Sequence, residues 1–419
     1  MCKLRIIWLS NKVQSNTDRG TTGTWLDAMA HGLLQSGEVE LGNIAMGAMS
    51  QTTRQDCGAI RQWIIPSRSQ QRNGLLVARY ISEIAHAVQE FSPDLVHVWG
   101  TESFWGLLTA RGIIQYPALL EMQGLKGAIA RVFAGGLSVR QQLACVGLKE
   151  ILRRSTIFQG RRQFKDWGRV EREIIAGHRF ITAQSMWLEA QIRAVNRDCQ
   201  IFHNDFALRE PFYAAESWRN PKNNVVFCSA SYPSPFKGVH IAIRAIAILK
   251  ERFPKIQLRI AGALQRHGIR QEGYVAWLNR EARQLGVETN LRWLGPLTAD
   301  QIVAELQQSS ATLLPTFIEA YCLALAEAMI IGAPSVVSFV GGASLLARDE
   351  ESALFFPPGD EAMCAYQLAR LLTDRDLAER LSRKAREVAL VRNDPQRIVE
   401  NQLAIYRQVI GASGGKVES

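Results

Sequence analysis

Two glutamates with seven residues between them, Glu319 and Glu327, stand in the segment 315–342, PTFIEAYCLALAEAMIIGAPSVVSFVGG. The run Ala311–Leu314 reads as a strand that stops at Pro315, and a short loop then carries Glu319. A helix is expected to begin near residues 320–322 and to carry Glu327 on about its second turn. A helix start presents unpaired N–H groups and the positive end of the dipole, which suits phosphate. A carboxylate just before it can accept hydrogen bonds from sugar hydroxyls, and one inside the helix can hold two vicinal hydroxyls, as on a ribose. Gly332 and Pro334 end the helix, and Gly341-Gly342 makes a turn where backbone can approach a ligand. Two glutamates alone also fit a plainer account, in which Glu319 favours the helix dipole and Glu327 is a surface residue.

Lys237, in Phe236-Lys237-Gly238, follows another strand-like run and can reach a diphosphate as a point charge. It would stabilise charge building on a leaving group; the plain alternative is a surface lysine. The early turn at residues 20–25 offers Gly23 for close backbone approach. His97, inside DLVHVWG, and His178, beside Phe180-Ile181-Thr182, are candidate site histidines or packed strand residues.

The elements that must position these residues alternate between strand-like and helix-like runs, the pattern of an α/β protein with parallel sheets. Leu4–Ser10 reads as a first buried strand and residues 25–35 as a helix. Residues 94–100 and 118–124 are strands ending in glycine, and such ends face the ligand crevice of open α/β sheets. In the second half, residues 224–231 form a strand and residues 239–253 a helix, with Ala242, Ile246, Leu249 and Phe253 on one face. Residues 256–263, closed by Gly262, and residues 291–294, 311–314, 335–339 and 353–356 are further strands. Polar helices fill residues 361–410, and the Gly/Ser-rich tail is expected to be loose. The polar, proline-containing stretch near 215–222 divides the chain. Residues 1–217 form one Rossmann-like domain and 218–394 a second, while 395–419 supply a helix that packs back on the first.

A chain of 419 residues suits two cores of this size, and 47% apolar with 21% charged residues is a globular composition. No run approaches the roughly 18 apolar residues that span a bilayer. The N-terminal run reads as a strand and not a signal peptide, so a cytoplasmic protein is expected. The seven cysteines form no C-x-x-C pair, which points to a reducing compartment and away from structural zinc. The net charge of +10 is concentrated at residues 131–170, where nine basic residues face two acidic ones among Phe133, Phe158, Phe164 and Trp167. Such a stretch fits an anionic membrane, a nucleic acid, an anionic substrate or simply a solvated helical face.

The 315–342 segment resembles the signature of glycosyltransferase family 4. The E-x7-E pair is followed in register by Ala328-Met329, Gly332-Ala333-Pro334 and Gly341-Gly342. The resemblance implies a GT-B fold, two Rossmann-like domains with parallel sheets facing across a cleft. It implies that Glu319 contacts the donor sugar, that Glu327 binds the nucleotide ribose, and that Lys237 holds the diphosphate. Ala320, Tyr321, Cys322 and Leu323, Gly23 and Gly262 complete the donor side. The family usually has Gly-Phe-Gly after the first glutamate, where this chain has Ala320-Tyr321-Cys322. It commonly has an arginine where this chain has Ser231, and a histidine where it has Gln123, which can hydrogen-bond a sugar hydroxyl. Residues 97–102, 123–125 and 208–213 resemble a branch of the family found in bacterial polysaccharide gene clusters. The implied reaction is metal-independent, retaining transfer of a hexose from a UDP- or GDP-sugar. The implied acceptor is a glycan or a lipid-diphosphate-linked glycan, met at the inner membrane face through residues 131–170, and no nucleic-acid partner is expected. A nucleotide-sugar 2-epimerase and a non-catalytic GT-B binding protein remain alternatives.

Overall fold

A computed structural model describes residues 3–15, 24–230, 234–262 and 273–414. Gly23 and Ser231 lie outside the described residues. The chain folds into two α/β units. The first holds an eight-stranded sheet of β1 (Leu4–Ser10), β2 (Val39–Gly47), β3 (Thr53–Arg54), β4 (Arg61–Pro66), β5 (Leu95–Trp99), β6 (Ala118–Glu121), β7 (Phe180–Ala183) and β8 (Gln200–His203). Their spatial order is β3-β4-β2-β1-β5-β6-β7-β8, and only the two-residue edge strand β3 runs antiparallel. The second sheet is fully parallel, in the order β11-β10-β9-β12-β13-β14. It comprises β9 (Val225–Ser229), β10 (Gln257–Ala261), β11 (Leu291–Gly295), β12 (Ala311–Leu314), β13 (Ser335–Ser338) and β14 (Leu354–Phe356). Central strands buried on both faces read as continuous apolar runs, which is why β1, β5, β9 and β12 stand out in the sequence. Strand β2 carries Gly42 and the buried Asn43, and β8 is half exposed, so neither has that signature.

The last helix, Pro395–Ala412, returns to the first unit and packs on the Thr24–Gln35 helix and on β5 and β6. A Cβ on Gly32 would overlap Val399, so glycine is what lets these two helices approach closely. Tyr406, fully buried, carries a polar network into the sheet. Its hydroxyl lies 3.4 Å from Trp8 Nε1 and 2.8 Å from His97 Nδ1. His97 Nε2 is 3.4 Å from Glu121 Oε2, and Gln184 donates to the other oxygen of that carboxyl. Burial pushes the His97 imidazole down to about 3 and the Glu121 carboxyl up to about 8. A neutral ring beside a protonated acid avoids burying an unpaired charge. His97 is therefore a structural joint. His178 is structural as well, held between Thr109 Oγ1 at 2.8 Å and the Ile174 carbonyl at 2.7 Å.

A second bridge between the units lies at residues 133–150. The Phe133 ring meets Phe236 at 5.7 Å, and His240 Nε2 reaches the Gly135 carbonyl at 2.9 Å. Glu150 Oε1 accepts from the Gly273 amide at 3.0 Å, and Arg280 donates to the Ala144 carbonyl at 2.6 Å.

Glu121 takes up a proton on folding, because its folded value of about 8 exceeds the ordinary 4.5. The stability tied to that proton is full below the lower value and is lost as pH rises through the upper one. His97, lowered from 6.5 to about 3, has the opposite sign and contributes fully above 6.5. Between pH 6.5 and 8 the wild type should therefore lose stability against urea more steeply than Glu121→Gln. The slopes should differ by up to about 1.4 kcal/mol per pH unit, the value for one proton. Equal slopes for the two proteins would show that Glu121 is not the group responsible.

Candidate functional site

The C-terminal ends of β9 and β12 carry two loops that lock together. The β9 loop ends in a single 3₁₀ turn, Pro235–Lys237, and Gly238 follows with φ 71°. A Cβ on Gly238 would overlap the Pro315 carbonyl oxygen, so glycine allows this loop to lie on the end of β12. Phe317 N donates to the Phe236 carbonyl at 2.8 Å, and Thr316 Oγ1 donates to the same oxygen at 3.3 Å. These bonds bring Lys237 Nζ to 2.6 Å from Glu319 Oε1, with both side chains largely buried. Burial pushes the Lys237 ammonium down, but Glu319 more than offsets this and holds it above its ordinary value. One N–H of an ammonium with three is thus engaged by Glu319.

The helix Leu323–Ile331 starts directly after, at residue 323 and not at 320–322. The reason is Cys322, whose φ of 81° is left-handed and non-helical. A glycine would adopt this conformation without strain, so Cys322 marks the point where the chain departs from the family's Gly-Phe-Gly. No side chain caps the helix; the Leu325 amide bonds the Cys322 carbonyl at 3.0 Å, and the amides of Leu323 and Ala324 at the helix start are the ones placed to meet a ligand or solvent. Cys322 itself is buried, and desolvation raises its thiol far above the range in which it would be nucleophilic.

Several predicted donor contacts are placed differently. Tyr321 is buried with its hydroxyl 3.2 Å from Asp205 Oδ1 and 2.8 Å from Asn393 Nδ2, and its ring meets Phe206 at 5.1 Å. Its side chain is thus tied to the crossover, or hinge, between the two units through Asp205, Phe206 and Asn393. Gly341 and Gly342 pack on the Glu319 loop, where a Cβ on either would overlap the carbonyl oxygen of Glu319 or Ala320, and Gly342 N donates to Glu319 O at 2.8 Å. That turn holds the loop in place by direct backbone contact. Glu327 Oε1 receives Arg209 Nη2 at 3.0 Å, and both side chains are mostly buried. Arg209, a cation from the linker side that the sequence reading did not single out, thus compensates the charge of Glu327. Gly262, with φ 87°, donates from its amide to the Gly295 carbonyl at 2.7 Å at the end of β10. Asp374-Arg375-Asp376 is a D-x-D string, but Asp374 Oδ1 caps the helix Arg375–Arg392 through the Leu377 amide.

Across the cleft, Ser185 Oγ, just after β7, donates to the Ala320 carbonyl at 2.9 Å, so the strand ends of the first sheet face the donor loop. Gln123 follows the neighbouring strand β6, and its Nε2 is buried with no hydrogen-bond partner among the described residues. Gly100, after β5, has φ 90°. A Cβ there would overlap Glu102 Oε2 and come within 3.1 Å of Gln123 Oε1, so Glu102 and Gln123 lie side by side over this glycine. Desolvation pushes the Glu102 carboxyl up to about 7, and nearby Glu171 raises it further. Burial also pushes Glu171 to about 7, although it accepts the amides of Lys126 and Gly127, each at 2.7 Å. Those two amides favour charge on Glu171, and the two carboxyls, each raised by burial, disfavour simultaneous ionisation. Lys126 Nζ donates to the Glu102 carbonyl at 2.6 Å. Glu102 was legible only as one letter of a motif; the glycines that press against it, Gly100 and Gly124, were the available signal.

Residues 213–388 match the family model described as Glycosyl transferases group 1. The D-inositol 3-phosphate glycosyltransferase of Salinispora arenicola is 29% identical over 198 residues, 46% of this chain and 43% of that protein. This chain thus covers less than half the length of the curated relatives it matches. Among solved structures, sucrose-phosphate synthase from Thermosynechococcus elongatus superposes with a TM-score of 0.76 at 15% identity, covering 98% of this chain and 100% of that one. Anabaena HepE in complex with UDP and glucose gives 0.67 at 17% identity, covering 96% and 98%. The fold is GT-B, as expected from the resemblance.

The position of Tyr321 yields a test that separates hinge from ligand contact. Tyr321→Phe should lower stability by about 1–2 kcal/mol through the lost bonds to Asp205 and Asn393. It should leave UDP and GDP affinity within about twofold, since 1.4 kcal/mol is a factor of ten. Urea titration and calorimetric nucleotide binding read the two quantities. Weakened nucleotide binding with unchanged stability would return Tyr321 to the donor site.

Proposed function

We propose, from the match of residues 213–388 to the family model described as Glycosyl transferases group 1, that this chain is a retaining glycosyltransferase that moves a hexose from a UDP- or GDP-sugar to a hydroxyl of a glycan. The observation that carries this reading is Lys237, held against Glu319 beside the uncapped start of the helix Leu323–Ile331. A donor diphosphate lying there meets a fixed ammonium and oriented amides. Both strengthen their interaction as the bond from anomeric carbon to diphosphate oxygen breaks and charge builds on the departing group. Glu319 keeps Lys237 charged and aimed, and its remaining acceptor capacity suits donor-sugar hydroxyls. Glu327 serves the ribose, with Arg209 paired to that mostly buried carboxylate at 3.0 Å. The acceptor oxygen enters from the Gln123 and Glu102 side, forms the new bond at the anomeric carbon, and loses its proton to the departing diphosphate. No residue in this scheme requires a bound metal.

The structure of HepE with UDP and glucose makes UDP the first donor nucleotide to test. The resemblance of residues 97–102, 123–125 and 208–213 to the polysaccharide branch favours cell-surface glycan synthesis on a lipid-diphosphate-linked acceptor, at the inner membrane face. A phosphorylated polyol is the second acceptor class, because the Salinispora relative is named for inositol phosphate. No helix among the described residues is long and apolar enough to cross a membrane. Contact with anionic lipid would be made from the surface, through the basic residues of 131–170.

Purified protein should release free UDP or GDP from its cognate donor, and product analysis should show a new α- or β-linkage matching the donor's anomer. Lys237→Ala and Glu327→Ala should each reduce turnover by about tenfold or more with the fold intact. Chelation of divalent metal should leave the rate unchanged. Near-normal turnover in both variants would refute the site, and an epimerised donor would identify the 2-epimerase instead.

A further inference from the structure

Among the described residues, sixteen large apolar side chains are exposed, and six of them fall within residues 139–158. They are Val139, Leu143, Leu148, Ile151, Leu152 and Phe158, from 41% exposed at Phe158 to 76% at Leu152. Val139 and Leu143 are one turn apart on the helix Val139–Ala144; Leu148, Ile151 and Leu152 share a face of the helix Leu148–Leu152.

This apolar face cannot turn inward, because the inner side of the same segment is occupied. Gln142 is buried and donates to the Leu137 carbonyl at 2.7 Å. The buried Glu150 accepts from Gly147 within its own helix, at 3.1 Å, and from Gly273 of the second unit, at 3.0 Å. Arg280, also of the second unit, holds the Ala144 carbonyl. Both units are thus tied to one short segment whose outer side presents aliphatic groups to water.

Cations surround those groups. Arg140, Arg153, Arg154, Arg161, Arg162 and Lys165 are exposed, whereas one of the two acidic residues of the stretch, Glu150, points inward. Aliphatic side chains within a ring of arginine match a bilayer that carries negative headgroups above hydrocarbon. A single-stranded nucleic acid would instead call for aromatic stacking platforms among the cations. Here five of the six exposed apolar groups are aliphatic.

We propose that residues 139–158 form a wedge that inserts its aliphatic side chains into an anionic lipid bilayer, with the flanking arginines at the headgroups. The proposal rests on the membrane reading given above. It adds that apolar insertion, and not charge alone, provides part of the attachment. Because Glu150 and Arg280 bind this segment to the second unit, seating the wedge orients the whole cleft toward the membrane.

The test is co-sedimentation of the full chain with vesicles of phosphatidylcholine alone or mixed with phosphatidylglycerol. Leu148→Ser/Leu152→Ser and Arg153→Glu/Arg154→Glu are the variants, and thermal unfolding and UDP affinity serve as controls that neither should move. The wild type should pellet with the mixed vesicles and retain part of that binding in high salt. The serine pair should bind about tenfold more weakly and lose the salt-resistant part. The glutamate pair should lose the preference for phosphatidylglycerol. Wild-type binding by the serine pair would overturn insertion. A wild type that ignores both vesicles yet retards a single-stranded RNA would overturn the lipid assignment. Vesicle binding is read without any sugar transfer, so these outcomes are independent of the proposed activity.

Discussion

The ion pair between Lys237 and Glu319 is the constraint from which the proposed donor site follows. A largely buried ammonium is costly to desolvate and is tolerated only where a carboxylate compensates it with good geometry. That geometry requires two loops from different strands to lie within a hydrogen bond of each other along several residues. Gly238 removes the side chain that would strike the end of β12, and Gly342 removes the one that would strike the Glu319 loop. Cys322 takes a left-handed conformation so that the helix Leu323–Ile331 can begin immediately beyond. The pair, the glycines and the uncapped amides are therefore one arrangement: a fixed positive charge and a fixed dipole, with their reorganisation already done by folding.

Holding that arrangement against the first unit falls to structure far from it in sequence. The last helix crosses back and places Tyr406 in the first sheet, while Asn393, just before it, binds Tyr321 and the Phe206 carbonyl. Tyr321 lies two residues from Glu319, so the turn that carries the donor-side carboxylate is anchored to the crossover. Ser185 reaches the adjacent Ala320 carbonyl from the other unit. Any rotation of one unit on the other must therefore loosen or shift the loop that carries Glu319. Under the proposed function this would link closure of the two units directly to the placement of Glu319.

The sequence made the second unit far more legible than the first. Its strands are short, apolar and separated by periodic helices, and its signature residues sit at strand ends in one stretch. Residues 315–342 could be read as loop, helix, stop and turn almost position by position. What the sequence could not show was direction. Tyr321 stands between two positions expected on the donor side, and its hydroxyl meets Asp205 and Asn393, which only the tertiary fold brings to it. Gly341-Gly342 signalled close backbone approach correctly, but the backbone approached is the chain's own. In the first unit β2 and β8 lack the apolar run that marks a buried strand, and Glu102 acquires its character only when Gly100, Gly124 and Glu171 meet around it. The histidines stay undecided in the sequence for the same reason. A buried imidazole and a site imidazole look alike until their partners are known, and the partners of His97 come from positions 121 and 406.

The two walls of the cleft now differ in electrostatic kind. The second unit presents charge held by charge: Lys237 on Glu319, and Glu327 under Arg209. Such pairs compensate one buried charge with another, which is the environment the proposed diphosphate and ribose contacts call for. The first unit presents buried groups that resist ionisation, with Glu102 raised to about 7 by desolvation and beside it the neutral amide of Gln123. A buried carboxyl raised toward neutrality and an amide both hydrogen-bond while adding less net charge than an ordinary carboxylate. That is the pairing expected for neutral hydroxyl groups, and it avoids placing a second anion against the diphosphate. On the proposed function, the same division accounts for Gln123 standing where the resemblance implies a histidine. If the first unit's task is to orient a hydroxyl while the diphosphate takes its proton, a group that hydrogen-bonds is sufficient, and basicity on that wall is unnecessary.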